Sequence, residues 1–230
     1  MICIYTPLSI KGSSRYGNNY WEAMSVKMNR TIRMFSDLEY DHWVLIEGDP
    51  DILCFCEQPI KINVLLEGEM VESILDMWIQ RKDGAEIFVE IKYAAELDPK
   101  NSNFSPRSLR QTSAQRKWCE QNGFKYEIRT DKEIRGNLVY LDNLKLILPY
   151  VRQRATPIET DWHRILAAIK NRSNTIFHVE QQFPEIPKQR IRETICRMIY
   201  TGVIRSNIDK DPFNSTTEVW FNDQTEMDRK

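Results

Sequence analysis

The sequence contains little glycine, few cysteines and few histidines. Glycine accounts for 8 of 230 residues, well below the usual share of about 7%, which excludes collagen-like and linker-like classes. The five cysteines are an odd number without the spacing of a disulfide framework, and only three histidines are available as metal ligands. These counts are typical of a protein from a reducing compartment.

Long hydrophobic runs are also missing. No apolar segment approaches the ~18 residues that a membrane span needs, and the apolar start at residues 1–5 is too short for a signal-peptide core. Hydrophobic residues make up 41% of the chain and charged residues 28%. The sequence therefore predicts a soluble, cytoplasmic globular protein without a membrane contact.

The net charge of −1 conceals an uneven distribution. Residues 151–222 carry more basic than acidic side chains, and residues 100–117 contain no Asp or Glu. The bases of this acid-free stretch are Lys100, Arg107, Arg110, Arg116 and Lys117. Such stretches either contact phosphates or form solvated faces, and composition alone leaves both open.

The pattern of the first 60 residues predicts an arm followed by a helix and a strand. Residues 1–30 show no clear periodicity and are interpreted as a loosely ordered arm. Ser36 and Glu39 have the spacing of a capping box, which predicts a helix over 37–47. A short strand is expected next, over residues 52–58.

The clearest local signal is a β-hairpin. Strand-like segments at 71–80 and 86–93 flank a turn at 82–84. Counting back across this turn places Asp76 opposite residue 90 or 91, within one residue of Glu90. One carboxylate from each strand is therefore expected at the same end of the hairpin.

Asp76, Glu90 and Lys92 form the pattern D-(x)n-E-x-K. Carboxylates on adjacent strands can hold Mg²⁺, and a lysine two residues along the strand points to the same face. Such a group could cleave a phosphodiester bond. Glu-x-Lys on an exposed strand is also typical of a simple solvated pair, but Asp76 stands among apolar residues, where an unpaired carboxylate is costly.

The remaining elements predict an α/β fold with a mixed sheet and a small second domain. A helix is expected over 107–122, a strand over 124–129, and a further helix over 143–152. Beyond a linker at Thr156-Pro157, three helices and a hairpin have the layout of a winged helix. The predicted boundaries are an arm at 1–30, a catalytic domain at 31–154, a winged-helix domain at 157–222 and a tail at 223–230.

A series of short motifs resembles TnsA, the endonuclease subunit of heteromeric bacterial transposases. In chain order the motifs are Ser36-Asp-Leu-Glu39, Glu57-Gln-Pro59, Asp76, Glu90-Ile-Lys92, Asn122-Gly-Phe and Thr130-Asp-Lys-Glu-Ile134. That family has a restriction-endonuclease-like, PD-(D/E)xK catalytic domain followed by a winged-helix-like domain. The resemblance covers roughly residues 30–150 by motif and 157–222 mainly by layout.

The resemblance implies a set of site residues. Glu39, Asp76 and Glu90 correspond to the metal-binding acids, with Mg²⁺ as the expected ion and Mn²⁺ as a substitute, and Lys92 corresponds to the catalytic lysine. The sequence departs from the pattern at Leu75, where a proline is typical. It also has Glu90 where some relatives have glutamine, and neither departure indicates an inactive site.

The resemblance also implies a function and partners. TnsA nicks double-stranded DNA at the 5′ ends of a transposon, while a DDE-type transposase cuts the 3′ ends and an AAA+ ATPase regulator docks on the C-terminal domain. Two alternatives stay open: an inactive adaptor that bridges DNA and the regulator, and a stand-alone restriction or repair nuclease.

Two basic groups are candidate DNA contacts. The residues expected to meet phosphates after the catalytic strand are Arg107, Arg110, Arg116 and Lys117. The third C-terminal helix carries a second group, Lys188, Arg190, Arg192 and Arg197. For the first group the alternative is a solvated face, and for the second it is protein docking, which the resemblance favours.

Several residues also have purely structural interpretations. Glu39 satisfies a capping box for local reasons, whether or not it binds metal. Glu57 and Gln58 are expected to hold the end of a strand near the site. Cys54 and Cys56 share a strand face and are expected in the core, because a zinc site would need two more ligands.

Overall fold

The computed structural model describes residues 3–9, 19–153, 156 and 158–223. Their contacts divide the chain into two compact units, one comprising the residues up to Glu47 together with Asp51–Gly136, and the other Gly48–Pro50 together with the residues from Asn137. This division lies after Gly136, whereas the sequence predicted a catalytic domain extending to residue 154. The predicted linker lies partly outside the described residues.

The first unit contains eight strands and four helices among its described residues. They are β1 (Trp21–Ser25), β2 (Arg30–Met34), α1 (Asp37–Gly48), β3 (Ile52–Glu57), β4 (Lys61–Leu66), β5 (Glu69–Ile74), β6 (Met77–Arg81), β7 (Glu86–Lys92), α2 (Ala94–Leu97), α3 (Pro106–Gln121), β8 (Lys125–Thr130) and α4 (Asp131–Ile134). The helices predicted over 37–47 and 107–122 are therefore present as α1 and α3.

A four-stranded mixed sheet forms the centre of this unit, in the order β3-β6-β7-β8. The β3–β6 and β6–β7 pairs are antiparallel, whereas β7 and β8 are parallel. A parallel pair needs a crossover connection, which here contains α3. The structure confirms the predicted mixed α/β class.

The core of the first unit lies against this sheet. Trp78 and Phe88 are fully buried, and Cys54 and Cys56 belong to the same hydrophobic cluster. The prediction that these two cysteines face the core is confirmed. Strand β7 is buried along nearly its whole length, as expected for a strand with neighbours on both sides and cover on both faces.

The segment 71–80, predicted to be one strand, forms two strands with different partners. β5 pairs with β4 in a separate hairpin, and the chain then enters β6 of the central sheet. Leu75 and Asp76 lie at the switch: the Leu75 N–H donates to the Ile60 carbonyl, and the Asp76 carbonyl accepts from Gln58 N–H. The prediction of one continuous strand is wrong because the strand-like composition of this segment does not show a change of hydrogen-bond partner.

The expectation of a loosely ordered arm over 1–30 is also corrected in part. β1 pairs with β2 in an antiparallel hairpin, so residues 21–25 are regular structure. The ring of Tyr5 lies 5.1 Å from that of Trp78 and 5.6 Å from that of Phe88. These contacts join residues that are far apart in the chain, so no local periodicity in the sequence indicates them. Residues 10–18 of the predicted arm lie outside the described part.

The second unit contains helices around a small antiparallel sheet. Its elements are α5 (Leu138–Gln153), α6 (Glu159–Asn171), β9 (Asn174–Thr175), α7 (Ile176–Gln182), α8 (Lys188–Tyr200), β10 (Ile204–Ser206) and β11 (Glu218–Phe221), with strand order β10-β11-β9. Three helices and a hairpin therefore occur over 158–223 in the predicted order. The winged-helix assignment itself stays a prediction.

Helix α8 is covered along most of its length. Every residue from Ile191 to Tyr200 is buried or partly buried, with α6 and α7 on one side and α5 on another. Among the described residues no helix is long and apolar enough to cross a lipid bilayer.

Candidate active site

The two carboxylates predicted to converge lie side by side at the central sheet, Glu90 within β7 and Asp76 directly before β6. Met77 of β6 pairs with Val89 of β7, so Asp76 and Glu90, one residue further on each strand, face each other across the hairpin. Asp76 Oδ2 accepts a hydrogen bond of 2.8 Å from Ile91 N–H. The structure thus brings together the two acids that the hairpin register indicated.

Lys92 completes this group on the same face of β7. Its Nζ donates to Glu90 Oε1 over 2.7 Å, with 16% of the lysine side chain exposed and none of the glutamate. Because side chains two residues apart on a strand share a face, the pairing follows from the local sequence. Burial leaves this ion pair little screening by water.

Glu39 lies in the first turn of α1 and serves as a cap. Its Oε2 accepts from Phe35 N–H at 3.0 Å, and its Oε1 accepts from the Ser36 hydroxyl at 3.2 Å. Ser36 Oγ in turn accepts from Glu39 N–H, as in a capping box. The charges of Asp76 and Lys92 act on the pKa of Glu39, so this cap also lies within electrostatic reach of the strand residues.

Burial disfavours the ionised form of all three acids, and the charge of Asp76 adds to this effect for the two glutamates. Burial, reinforced by the charge of Asp76, raises the pKa of Glu39 to about 7 and that of Glu90 to about 8. Burial also raises the pKa of Asp76. Burial lowers the pKa of Lys92, but Asp76 and Glu90 outweigh it, so this pKa lies above its ordinary value. Three acids therefore share one lysine, an arrangement that a bound cation would stabilise.

Helix α3 contributes two glutamines that the sequence interpretation missed. Gln111 Nε2 donates to Glu90 Oε1 at 2.9 Å, and Gln115 Nε2 donates to Glu90 Oε2 at 2.8 Å. The same amides reach Ser73 Oγ, and Tyr126 O–H donates to Gln115 Oε1 at 2.6 Å. Two glutamines four residues apart share a helix face, a spacing that could have drawn attention to them.

The donor atoms at this point suit a hard divalent cation. Asp76 and Glu90 offer carboxylate oxygens, the ligands that Mg²⁺ prefers, and Lys92 is the cation that pairs with Glu90. Across residues 3–9, 19–153, 156 and 158–223, no group of three or more His, Cys, Asp or Glu side chains is arranged to hold a metal ion. The donor chemistry thus fits a metal at the Asp76 and Glu90 pair, and the three-acid ligand set stays a prediction.

Most of the basic residues of α3 have partners within the first unit. Arg110 forms an ion pair with Glu69, and Lys117 Nζ donates to the Leu65 carbonyl at 2.7 Å. The guanidinium of Arg116 lies 5.5 Å from the centre of the Tyr126 ring. Three of the four predicted phosphate contacts are therefore already occupied within the unit.

Arg107 differs from the other three. It is exposed, and its guanidinium has no partner within the described part of the chain. It precedes Gln111 by one helical turn, so it lies on the side of α3 that faces Glu90. Arg107 is thus the basic residue of α3 best placed to meet a phosphate near the acids.

Glu57 and Gln58 support the strand end that leads to Asp76. Glu57 is buried and accepts two hydrogen bonds of 2.6 Å from the guanidinium of Arg30. Gln58 has a φ of 39°, an uncommon conformation for a residue with a side chain. Its N–H donates to the Asp76 carbonyl at 2.9 Å, so this turn fixes the backbone at Asp76.

The basic residues of α8 are largely occupied within the second unit. Arg190 Nη2 lies 2.6 Å from Asp161 Oδ2, and Arg192 Nε lies 2.7 Å from Glu180 Oε1. Lys188 Nζ is 3.7 Å from the other oxygen of Glu180. Three of the four basic side chains of α8 are thus paired with acids of the same unit.

The first unit is a mixed α/β domain in which Asp76, Glu90 and Lys92 lie together. Residues 49–131 match the family described as the TnsA-like endonuclease N-terminal domain. This match confirms the resemblance to TnsA-like endonucleases that the motifs predicted. The match contains Asp76, Glu90 and Lys92 and begins after Glu39. A comparison with curated proteins found no match.

Proposed function

We propose that this protein is the metal-dependent DNA endonuclease subunit of a cut-and-paste transposase. Its reaction is hydrolysis of a phosphodiester bond at the 5′ ends of the transposon. The observation that carries the proposal is the meeting of Asp76, Glu90 and Lys92 at one end of β6 and β7, inside the segment that matches the TnsA-like endonuclease domain.

Asp76 and Glu90 would hold Mg²⁺, or Mn²⁺ in its place, with Glu39 as the third acid. When bound, the ion supplies charge neutralisation at the scissile phosphate and a bound water of lowered pKa. The residues themselves supply a rigid frame, because Asp76 is tied to the Ile91 amide and Glu90 to Lys92. Metal binding would relieve the repulsion that raises the pKa values of Glu39 and Glu90.

Lys92 and Arg107 would act on the phosphate groups. Lys92 is protonated at neutral pH, since its pKa lies above the ordinary value, and it holds positive charge where negative charge develops during hydrolysis. Arg107, which is exposed near the same face, would contact a neighbouring phosphate of double-stranded DNA. Arg110, Arg116 and Lys117 would contribute to DNA binding more weakly, since each already has a partner.

The second unit would serve as a winged-helix-like docking domain. A DDE-type transposase would cut the 3′ ends, and an AAA+ ATPase regulator would bind the second unit. The ion pairs of Arg190 and Arg192 within that unit favour protein docking over DNA recognition by α8. The complex would act in the bacterial cytoplasm, at the nucleoid.

The test is a strand-specific nicking assay on labelled transposon-end DNA, with Mg²⁺, the transposase and the regulator. Wild type should nick the 5′ ends, and Asp76→Ala should not. The matched control is Glu72→Ala, which removes an acid of β5 whose side chain is 59% exposed and should leave nicking unchanged.

The other outcomes identify the alternatives. If Asp76→Ala nicks as fast as wild type, the proposed site is wrong. If wild type cuts efficiently without any partner, the protein is a stand-alone restriction or repair nuclease. If neither protein cuts but both support assembly on DNA, the protein is an inactive adaptor.

A further inference from the structure

The carboxylate of Glu90 is held by more than its lysine. Lys92 and Gln111 both donate to Oε1, whereas Gln115 donates to Oε2 over 2.8 Å. Glu90 and Gln115 are both fully buried. The hydrogen bond from Gln115 therefore fixes the rotation of the carboxylate about its terminal bond, which contacts to Oε1 alone would leave free.

The amide of Gln115 is itself oriented by its neighbours. Tyr126 O–H donates to Oε1 at 2.6 Å, and Nε2 lies 2.9 Å from Ser73 Oγ. A flipped amide would bring its oxygen against the Glu90 carboxylate, placing two acceptors in contact. The tyrosine hydroxyl thus selects the orientation in which the amide N–H faces Glu90.

A neutral donor suits this position for an electrostatic reason. Elsewhere in the same unit the buried carboxylate of Glu57 is held by the guanidinium of Arg30, which neutralises it and would repel a cation. An amide holds a carboxylate oxygen without adding positive charge. Both oxygens of Glu57 contact the guanidinium of Arg30, whereas Lys92 donates to Oε1 of Glu90 and the neutral amide of Gln115 donates to Oε2. Oε2 of Glu90 is therefore the oxygen that Gln115 holds without adding a positive charge.

We propose that Gln115, oriented by Tyr126, is a positioning residue that holds the Glu90 carboxylate in the geometry required to bind a divalent cation. This inference rests on the proposed function, in which Glu90 is a metal ligand. Partners that orient a metal ligand typically change metal affinity by about 10–100-fold when they are removed. Gln115 and Tyr126 should therefore act on metal binding in the absence of DNA.

The experiment measures Mn²⁺ binding to the full chain by electron paramagnetic resonance, together with thermal unfolding. Gln115→Met removes the amide and should weaken Mn²⁺ binding by about 10–100-fold. Tyr126→Phe removes only the hydroxyl and should weaken binding by about 10-fold, at the low end of that range. Gln121→Met makes the same chemical change at the exposed end of α3 and should leave binding unchanged.

A double-variant cycle separates positioning from general destabilisation. Once Gln115 is methionine, Tyr126→Phe should cause no further loss of Mn²⁺ affinity, since the hydroxyl acts only through the amide. Additive losses would overturn the proposal. Tyr126→Phe keeps the ring that packs under Arg116, so it remains informative if Gln115→Met does not fold.

Asp76→Ala distinguishes failure of this inference from failure of the proposed function. If wild type binds Mn²⁺ and Asp76→Ala does not, while Tyr126→Phe binds as tightly as wild type, only the positioning role is overturned. If wild type and Asp76→Ala bind Mn²⁺ equally weakly, the metal site is wrong and both proposals fail together.

Discussion

Both units of this protein bury carboxylates, but the acids at the candidate site of the first unit lack the individual arginines that the buried acids of the second unit have. In the second unit Asp161 and Glu180 are each 4% exposed, and each has its own arginine, Arg190 and Arg192. A buried charge that is paired in this way is stable, and removing either partner is costly. The ion pairs with arginine therefore account for the burial of these two acids.

In the first unit three acids share one cation. Glu39 and Glu90 each lie within electrostatic reach of Asp76 and Lys92, and Lys92 is hydrogen-bonded to Glu90. Burial raises the pKa values of all three acids, and the charge of Asp76 raises those of Glu39 and Glu90 further. The comparison shows that the pKa values of buried acids depend less on how many acids are buried than on how many cations pair with them. Acids with perturbed pKa values and too few cations are typical of a functional site.

The sharpest test of this comparison is Asp76→Asn. The change should reduce nicking by more than about 100-fold, because loss of a ligand should exceed the effect of losing its supporting partners. It should also raise the metal-free unfolding free energy by about 1 kcal/mol, since it removes repulsion in the site. The asparagine oxygen can still accept from Ile91 N–H. Equal nicking, or a lower melting temperature without metal, would contradict this interpretation.

The opposite stability change is expected for Asp161→Asn. It should lower the unfolding free energy by about 2 kcal/mol, less than a fully buried pair would lose, because the Arg190 side chain is 35% exposed. Chemical denaturation of both variants, monitored in parallel without metal, provides the measurement. A loss of stability in both variants would mean that Asp76, like Asp161, stabilises the folded protein through its charge.

Burial also shifts the pKa of a basic group in the first unit, the side chain of His42. His42 is fully buried beside Arg129, with 3.2 Å between His42 Nε2 and Arg129 Nη1. Burial, followed by the charge of Arg129, holds the pKa of His42 well below its ordinary value. The unfolded chain therefore binds a proton below pH ~6.5 that the folded protein does not, so this group makes stability fall as the pH falls.

His42→Gln should remove that contribution. Between pH 7 and pH 5.5 the stability of wild type should decrease by about 1 kcal/mol more than that of the variant. The measurement is urea denaturation of both proteins at the two pH values, in which the contributions of the carboxylates cancel. Parallel pH dependence would mean that His42 is protonated in the folded state.

The smallest expected effects concern the arginines of α3. Arg107→Ala should weaken binding to duplex DNA and reduce the salt dependence by about one phosphate contact. Arg110→Ala should have less effect, since Arg110 already pairs with Glu69. Binding isotherms at several salt concentrations compare the two variants, and equal losses would show that the ion pair opens on DNA.

Much of the site was predictable because it is local. Asp76 and Glu90 belong to two strands joined by a short turn, and Lys92 follows Glu90 on the same face, so counting residues was enough to bring them together. Ser36 and Glu39 likewise form a cap within four residues. Short-range periodicity predicts which side chains lie close together when they belong to one hairpin or to one helical turn.

Other features depended on contacts that no local pattern contains. The strand-like composition of 71–80 continues through Leu75, yet β5 and β6 have different partners. The pairing of β1 with β2 and the docking of Tyr5 against Trp78 were not predicted either. Strand partners are chosen by packing across the whole unit, and the period of a strand is the same whichever partner it has.

The amino-acid sequence by itself determined the mixed α/β class, the acid–lysine hairpin and the family of the segment 49–131, because these follow from periodicity, turn chemistry and motif order. Only the tertiary structure decided which side chains surround Glu90, which basic residues of α3 remain unpaired, and that α5 covers α8. The physical reason is that a hydrogen bond such as Gln115 to Glu90 joins two elements through space. Its existence depends on how α3 packs against the sheet, and neither element encodes that alone.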